Sequence, residues 1–96
     1  MQQNAHAASK LLKTLANPGR LMVLCNIVKQ ERAVGELEKL IGLSQSALSQ
    51  HLSRLRHEGI VECRREGQSA YYSLKDEGAR RVLEVLYGIY CGTENE

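Results

Sequence analysis

Ninety-six residues suffice for one domain and little more, so residues 1–96 are expected to fold as a single unit whose small core gains from a disulfide, a metal or a partner subunit. With four tyrosines, no Phe and no Trp, aliphatic side chains must fill the interior, and a formal charge of +2 excludes a globally basic nucleic-acid binder; any basic footprint has to be local. The opening "MQQNAHAASK" lacks an apolar signal core and no run approaches membrane-span length, which points to the cytoplasm and against a membrane partner.

In chain order, residues 5–15, "AHAASKLLKTL", place Ala8, Leu11, Leu12 and Leu15 on one helical stripe. "ANPGR" then restarts the chain: Asn17 suits an N-cap, and Pro18 suits the first helical position, where a missing N–H costs nothing. The second helix is expected to run to about Gln30, with Leu21, Leu24, Cys25 and Val28 on one face. Residues 33–41, "AVGELEKLI", predict a short third helix closed by Gly42. Leu43-Ser44 opens a fourth, "SQSALSQHLSRLRHE", which stops at Gly59. The period then changes. "IVECRRE" and "AYYSL" predict two short strands joined at "GQS", and from the N-cap Asp76 a last helix runs to roughly Cys91. Mainly α with a small β-hairpin, this order matches a winged helix-turn-helix.

The fourth helix carries the functional signal. Leu48, Leu52 and Leu55 cluster on one side, while Ser46, Ser49, Gln50, Ser53, Arg54 and His57 lie opposite. No acid occurs from Leu43 to His57, although Glu and Lys usually dominate solvated helix faces. Hydroxyls, amides and a guanidinium are the groups that meet phosphates and base edges. The third and fourth helices then form helix–turn–helix, with the second member entering the major groove. The hairpin adds Arg64 and Arg65 on one strand and Gln68 at its tip, in reach of backbone or minor groove. Glu58, Glu62 and Glu66 weaken the positive field of that wing. The bland alternative is a polar surface helix beside an unrelated hairpin.

At these residues the sequence resembles the ArsR/SmtB family of bacterial winged-helix repressors. "LANPGRLMVL", "VGEL", "LSQSALSQHLSRLRHEGIV" and "REGQSAYYSL" match its order and spacing, and the resemblance covers the chain from about Ala8 to Cys91. It implies a homodimer on a double-stranded, inverted-repeat DNA operator, released by a chemical inducer. It places Ser44, Gln45, Ser46, Ser49, Gln50 and His51 in the DNA-contacting segment, with Arg54 behind it. His51 sits about 60° from the leucine stripe, so a partly buried helix histidine is the alternative. No cofactor is implied.

The last helix carries Val82, Leu83, Val85, Leu86, Tyr87, Ile89 and Tyr90 around its whole circumference. Such a helix must be covered on both sides, and in a small domain a second subunit is the simplest cover. A homodimer through the first and last helices is expected, using Leu11, Leu12, Leu83, Leu86, Tyr87 and Tyr90. It would set two reading helices roughly 34–36 Å apart, one turn of DNA.

Three cysteines remain, Cys25, Cys63 and Cys91, with no C-x-x-C pair to suggest a zinc knuckle and an odd number that argues against a disulfide framework. Metal-sensing members of the family place C-x-C in the third helix, or Asp and His in the last; "VGELEKL" has no cysteine and "DEGARRVLEVLYGIYC" no histidine, so no metal site is assigned. The resemblance is instead to the persulfide-sensing dithiol branch (the BigR, SqrR and HlyU type). Cys25 in "VLCNI" and Cys91 in "IYCGT" match its two cysteine positions. This implies redox sensing of sulfane sulfur, in which one cysteine becomes a persulfide and the other closes a bridge to it. A direct disulfide would need Cα atoms roughly 4.4–6.8 Å apart. From pattern alone, Cys25 beside Leu21, Leu24 and Val28 reads first as a small buried hydrophobe, and Cys63, alternating with Val61, as wing packing; it is the resemblance that favours Cys25 as a sensor. A helix C-terminus disfavours a thiolate, so activation of Cys91 has to come from tertiary neighbours. The competing functions are a metal- or oxidant-responsive repressor using the same thiols, an anti-repressor, and a small thiol enzyme. No histidine adjoins a cysteine in sequence to support the last.

Overall fold

Helix caps determine where most elements begin and end in the computed structural model, which describes residues 2–90. Cys91 lies outside them. Helix α1 spans Gln2–Leu15, α2 Pro18–Ile27, α3 Val34–Ile41, α4 Gln45–His57 and α5 Glu77–Tyr90. The Asn17 side chain accepts from the Arg20 N–H and Pro18 occupies the first turn of α2, as the sequence predicts. Gly42 ends α3 with φ 82°, a left-handed conformation that glycine adopts without steric cost, and its N–H reaches the Glu38 carbonyl. Ser44 caps α4 by accepting from the Ala47 N–H at 3.1 Å, and Asp76 caps α5 through the Ala79 N–H at 2.8 Å.

Strands β1 (Arg32–Ala33), β2 (Val61–Glu66) and β3 (Ser69–Leu74) form an antiparallel sheet in the order β1-β3-β2. The hairpin turns at Gly67-Gln68, between the paired residues Glu66 and Ser69. Strand β1 was not anticipated: two residues carry no period to read. It pairs Arg32 with Tyr72 and Ala33 with Tyr71, seating the hairpin against the start of α3.

Leu15, Val23, Leu24, Ile27, Leu37, Leu48, Leu52, Leu55, Val61, Leu74 and Leu83 form one aliphatic core. The expected face of α2 is buried only in part: Leu24 and Val28 lie in the core, Leu21 is half-buried and Cys25 is exposed. Residues 20, 23, 24 and 27 share the same helical spacing, and Arg20, Val23, Leu24 and Ile27 are the buried residues within α2 itself. Hydropathy disfavours the stripe that begins with arginine; the tertiary structure accommodates it. Arg20 Nε donates to the Thr14 carbonyl at 2.6 Å and Nη2 to the Lys13 carbonyl at 3.2 Å. A buried cation thus satisfies the end of α1, where the helix dipole is negative. Cys25 consequently faces outward and Leu21 is half-buried. Helix α2 also stops at Ile27 rather than near Gln30.

Candidate nucleic-acid interface and thiol groove

Helix α4 separates its two faces as its pattern requires. Leu48 and Leu55 are completely buried and Leu52 nearly so, anchoring the helix on the core. Gln45, Ser46, Ser49, Gln50, Ser53, Arg54 and His57 are exposed on the other side, and the N-cap Ser44 is exposed with them. His51 is different. It is half-buried against the first turn of α2, where a Cβ built on Gly19 would meet its Nε2 at 2.4 Å. Its imidazole therefore seats α4 on α2, and only glycine at position 19 leaves room for it. Spacing placed His51 near the leucine stripe but carried no sign of this contact.

Arg54 Nε donates to one oxygen of Glu58 at 3.0 Å, and the other oxygen of that carboxylate accepts from the Thr14 hydroxyl on α1. Those two bonds, Thr14 foremost, hold the Glu58 carboxyl below the usual carboxylate range against a smaller opposing effect of burial.

On the wing, Arg64 is occupied by protein. Its guanidinium meets Glu31 at 2.6 Å and Glu66 at 2.9 Å, and lies 4.8 Å from the centre of the Tyr71 ring. Hydrogen bonding to Glu31, then to Glu66, raises its already high pKa, while the same arginine lowers that of Glu31. The contact braces β2 to the connection between α2 and β1. Nothing in a pair 33 residues apart announces itself in sequence. Arg65 and the turn residue Gln68 are exposed. Gln68 shares a hollow with Gln45, Val34, Gly35 and Glu38, so the wing tip and the first turn of α4 converge.

Cys25 is exposed in an apolar groove of about 460 Å³ lined by Leu21, Leu86, Tyr87 and Tyr90. The reading of Cys25 as a buried hydrophobe is therefore overturned, because the core stripe of α2 lies one residue away. At the groove, Lys29 Nζ stands 4.7 Å from the centre of the Tyr87 ring. Cys63 is half-buried opposite Tyr72. Burial, and then a hydrogen bond with Cys63, raise the pKa of the Tyr72 phenol. Among the described residues, no cluster of three His, Cys, Asp or Glu side chains is arranged to hold a metal ion, and no helix is long and apolar enough to cross a membrane.

The apolar girdle of α5 divides. Ala79 and Leu83 face the core, so Leu83, at 2 % exposure, is a residue of this subunit's interior and is withdrawn from the expected dimer contacts. Val85, Ile89 and Tyr90 are 62 %, 65 % and 73 % exposed, with Leu12 of α1 at 57 %. Leu11, Leu86 and Tyr87 are half-buried.

The family model described as "Bacterial regulatory protein, arsR family" matches residues 17–62, from the cap of α2 into β2. The transcriptional activator HlyU of Vibrio cholerae is 44% identical over 91 residues, covering 95% of this chain and 84% of that protein. The biofilm growth-associated repressor of Xylella fastidiosa is 44% identical over 96 residues, covering 100% of this chain and 84% of that protein. The solved structure of reduced HlyU from Vibrio cholerae superposes with a TM-score of 0.92, covering 95% of this chain and 96% of that one. These relatives are a transcriptional activator and a repressor.

Proposed function

Because the chain belongs to the arsR family of bacterial regulatory proteins and is a winged-helix transcriptional regulator, we propose that it acts as a dimeric repressor on an inverted-repeat operator. It leaves DNA when Cys25 and Cys91 react with sulfane sulfur. The observation that carries DNA reading is the exposed, acid-free face of α4, held on three buried leucines beside a wing whose tip approaches its first turn. Ser44, Gln45, Ser46, Ser49, Gln50 and Arg54 of the reading helix, with Arg65 and Gln68 of the wing, meet phosphates and base edges. His51 contributes mainly by seating the helix, and Arg64 mainly by bracing the wing. On this reading the protein works in the cytoplasm, where bacterial DNA lies.

The switch is supported by the exposure of Cys25 and by the groove it shares with Tyr90, the residue that precedes Cys91 in the chain. An apolar groove admits small, weakly hydrated sulfur species. A thiolate attacks the outer sulfur of a persulfide donor, leaving a cysteine persulfide and releasing the donor thiol. The second thiolate then attacks the first cysteine's own sulfur and expels hydrosulfide, which leaves a disulfide. If the second cysteine is itself a persulfide, the same displacement leaves a trisulfide. Either bridge ties α2 to the end of α5 and biases the dimer geometry. Two reading helices out of register with successive major grooves lose affinity.

The deciding experiment is fluorescence anisotropy on an operator duplex with reduced protein, before and after glutathione persulfide. Wild type is expected to lose affinity by at least about tenfold, on the scale of allosteric couplings. Cys25→Ser and Cys91→Ser should stay bound, and mass spectrometry should find a Cys25–Cys91 link only in wild type. Release of the Cys25→Ser variant by persulfide would overturn the dithiol switch. Release by zinc or diamide alone would transfer the same thiols to a metal or general oxidant.

A further inference from the structure

Helix α1, assigned above to dimerisation, is also fastened to the reading helix. Glu58 closes α4, with its N–H bonded to the Arg54 carbonyl at 3.0 Å. Its side chain is only 17 % exposed and lies in a cleft with Ala7, Ala8, Lys10 and Leu11 of α1, Ile60 and Asp76. One carboxylate oxygen accepts from the buried Thr14 hydroxyl, the other from Arg54 Nε. Exposed ion pairs four residues apart on a helix are ordinarily loose and nearly worthless. This one is held from behind by a neighbouring helix. The bond to Glu58 uses the Nε–H of Arg54, so the fork of Nη donors, the part that suits phosphate or guanine, is turned by a fixed partner.

Thr14 has a second acceptor. Its hydroxyl also lies 3.2 Å from the Lys10 carbonyl, so its single proton goes either back onto α1 or across to α4. Arg20 grips the carbonyls of Thr14 and Lys13, which holds the last turn of α1 in place for the crossing bond.

We propose that Thr14 and Glu58 are positioning residues for DNA reading: Thr14 orients the Glu58 carboxylate, Glu58 orients the Arg54 guanidinium, and the seating of α1 thereby sets how Arg54 meets the duplex. The inference rests on the reading of α4 as the DNA-contacting helix. It assigns α1 a part in sequence discrimination beyond holding a partner subunit.

The test compares two duplexes: one selected from a random pool by wild-type protein, and a scrambled duplex of equal composition. The ratio of the two affinities is the readout, measured against salt for wild type, Glu58→Gln, Thr14→Val and Thr14→Ser. Glu58→Gln removes a negative charge near DNA, so it should bind the scrambled duplex more tightly while its specificity ratio falls about tenfold, the scale of one charge-assisted hydrogen bond. Thr14→Val changes no charge; its ratio should fall similarly with an unaltered salt slope. Thr14→Ser keeps the hydroxyl and should restore the ratio to within roughly twofold of wild type. A carboxylate acting only by charge would make Glu58→Gln tighten both duplexes alike and leave Thr14→Val silent, which overturns the proposal. If thermal melts show Thr14→Val unfolded, the ratio of Glu58→Gln decides. A wild type that selects no sequence overturns the DNA-reading assignment and this inference together; a selected sequence bound with unchanged ratio by the variants overturns only this inference.

Discussion

Gly19 and His51 show how far the seating of α4 depends on single atoms. A Cβ at position 19 would fall within 2.4 Å of the imidazole Nε2, so Gly19→Ala forces the ring off α2. The substitution also gains helix propensity, about 1 kcal/mol, so the melting temperature is expected to change little while operator affinity falls severalfold. Unchanged operator affinity in an anisotropy titration would mean that His51 does not seat the reading helix. Arg64 offers the converse case. Its guanidinium is claimed by Glu31 and Glu66, and Glu31→Gln releases part of that charge toward DNA. Affinity for any duplex should rise and the salt dependence steepen. Stability should hardly move, because both partners are well exposed and solvent screens the pair.

At the scale of elements, the N-caps identified in sequence, Asn17 and Asp76, stand at α2 and α5, because a cap and the N–H it accepts from lie within one turn of chain; Ser44, read in sequence only as a helix opening, caps α4 in the same way. Ser44→Ala should cost about 1 kcal/mol of stability, measured by urea denaturation, since it leaves the Ala47 N–H without its side-chain acceptor. The far end of α4 titrates. The pKa of Glu58 is lowered in the folded protein, chiefly by Thr14 and then by Arg54. Its contribution to stability is therefore present above the ordinary carboxylate range and is lost as pH falls through the lower folded value. Glu58→Gln should accordingly be less stable than wild type at neutral pH, with the gap narrowing on acidification. A gap independent of pH would show that the carboxylate's charge plays no part. Element boundaries were less legible than caps. Strand β1 is too short to have a period, and α2 ended three residues early because residues 32–33 join the sheet.

For the molecule as a whole, the outer face of α5 leaves large apolar side chains uncovered. Val85 and Ile89 stand one turn apart and well exposed, with Leu12 of α1 also exposed. Ile89→Glu should shift a dimer to monomers in sedimentation velocity. It should also weaken operator binding by about a hundredfold or more, because two linked half-sites bind with an effective concentration that separate subunits lack. Dimers that survive this change would place the interface elsewhere. The groove around Cys25 belongs to the same scale: it exists only where α2 and the end of α5 come together.

The order of helices and hairpin, the N-caps Asn17 and Asp76, the buried leucines of α4 and the polar face opposite them are all legible in the chain. These depend on residues a turn or two apart, where spacing and chemistry act directly. The burial of Arg20 on α2 is not legible there, since it turns on the guanidinium finding carbonyls at the end of α1. Tertiary packing likewise turns Cys25 outward and Leu83 inward, and it brings Arg64 to Glu31 and fixes Glu58, one turn beyond Arg54, against α1. A buried cation, a bare glycine beneath a ring and an ion pair across 33 residues are satisfied by partners brought close only when the chain folds.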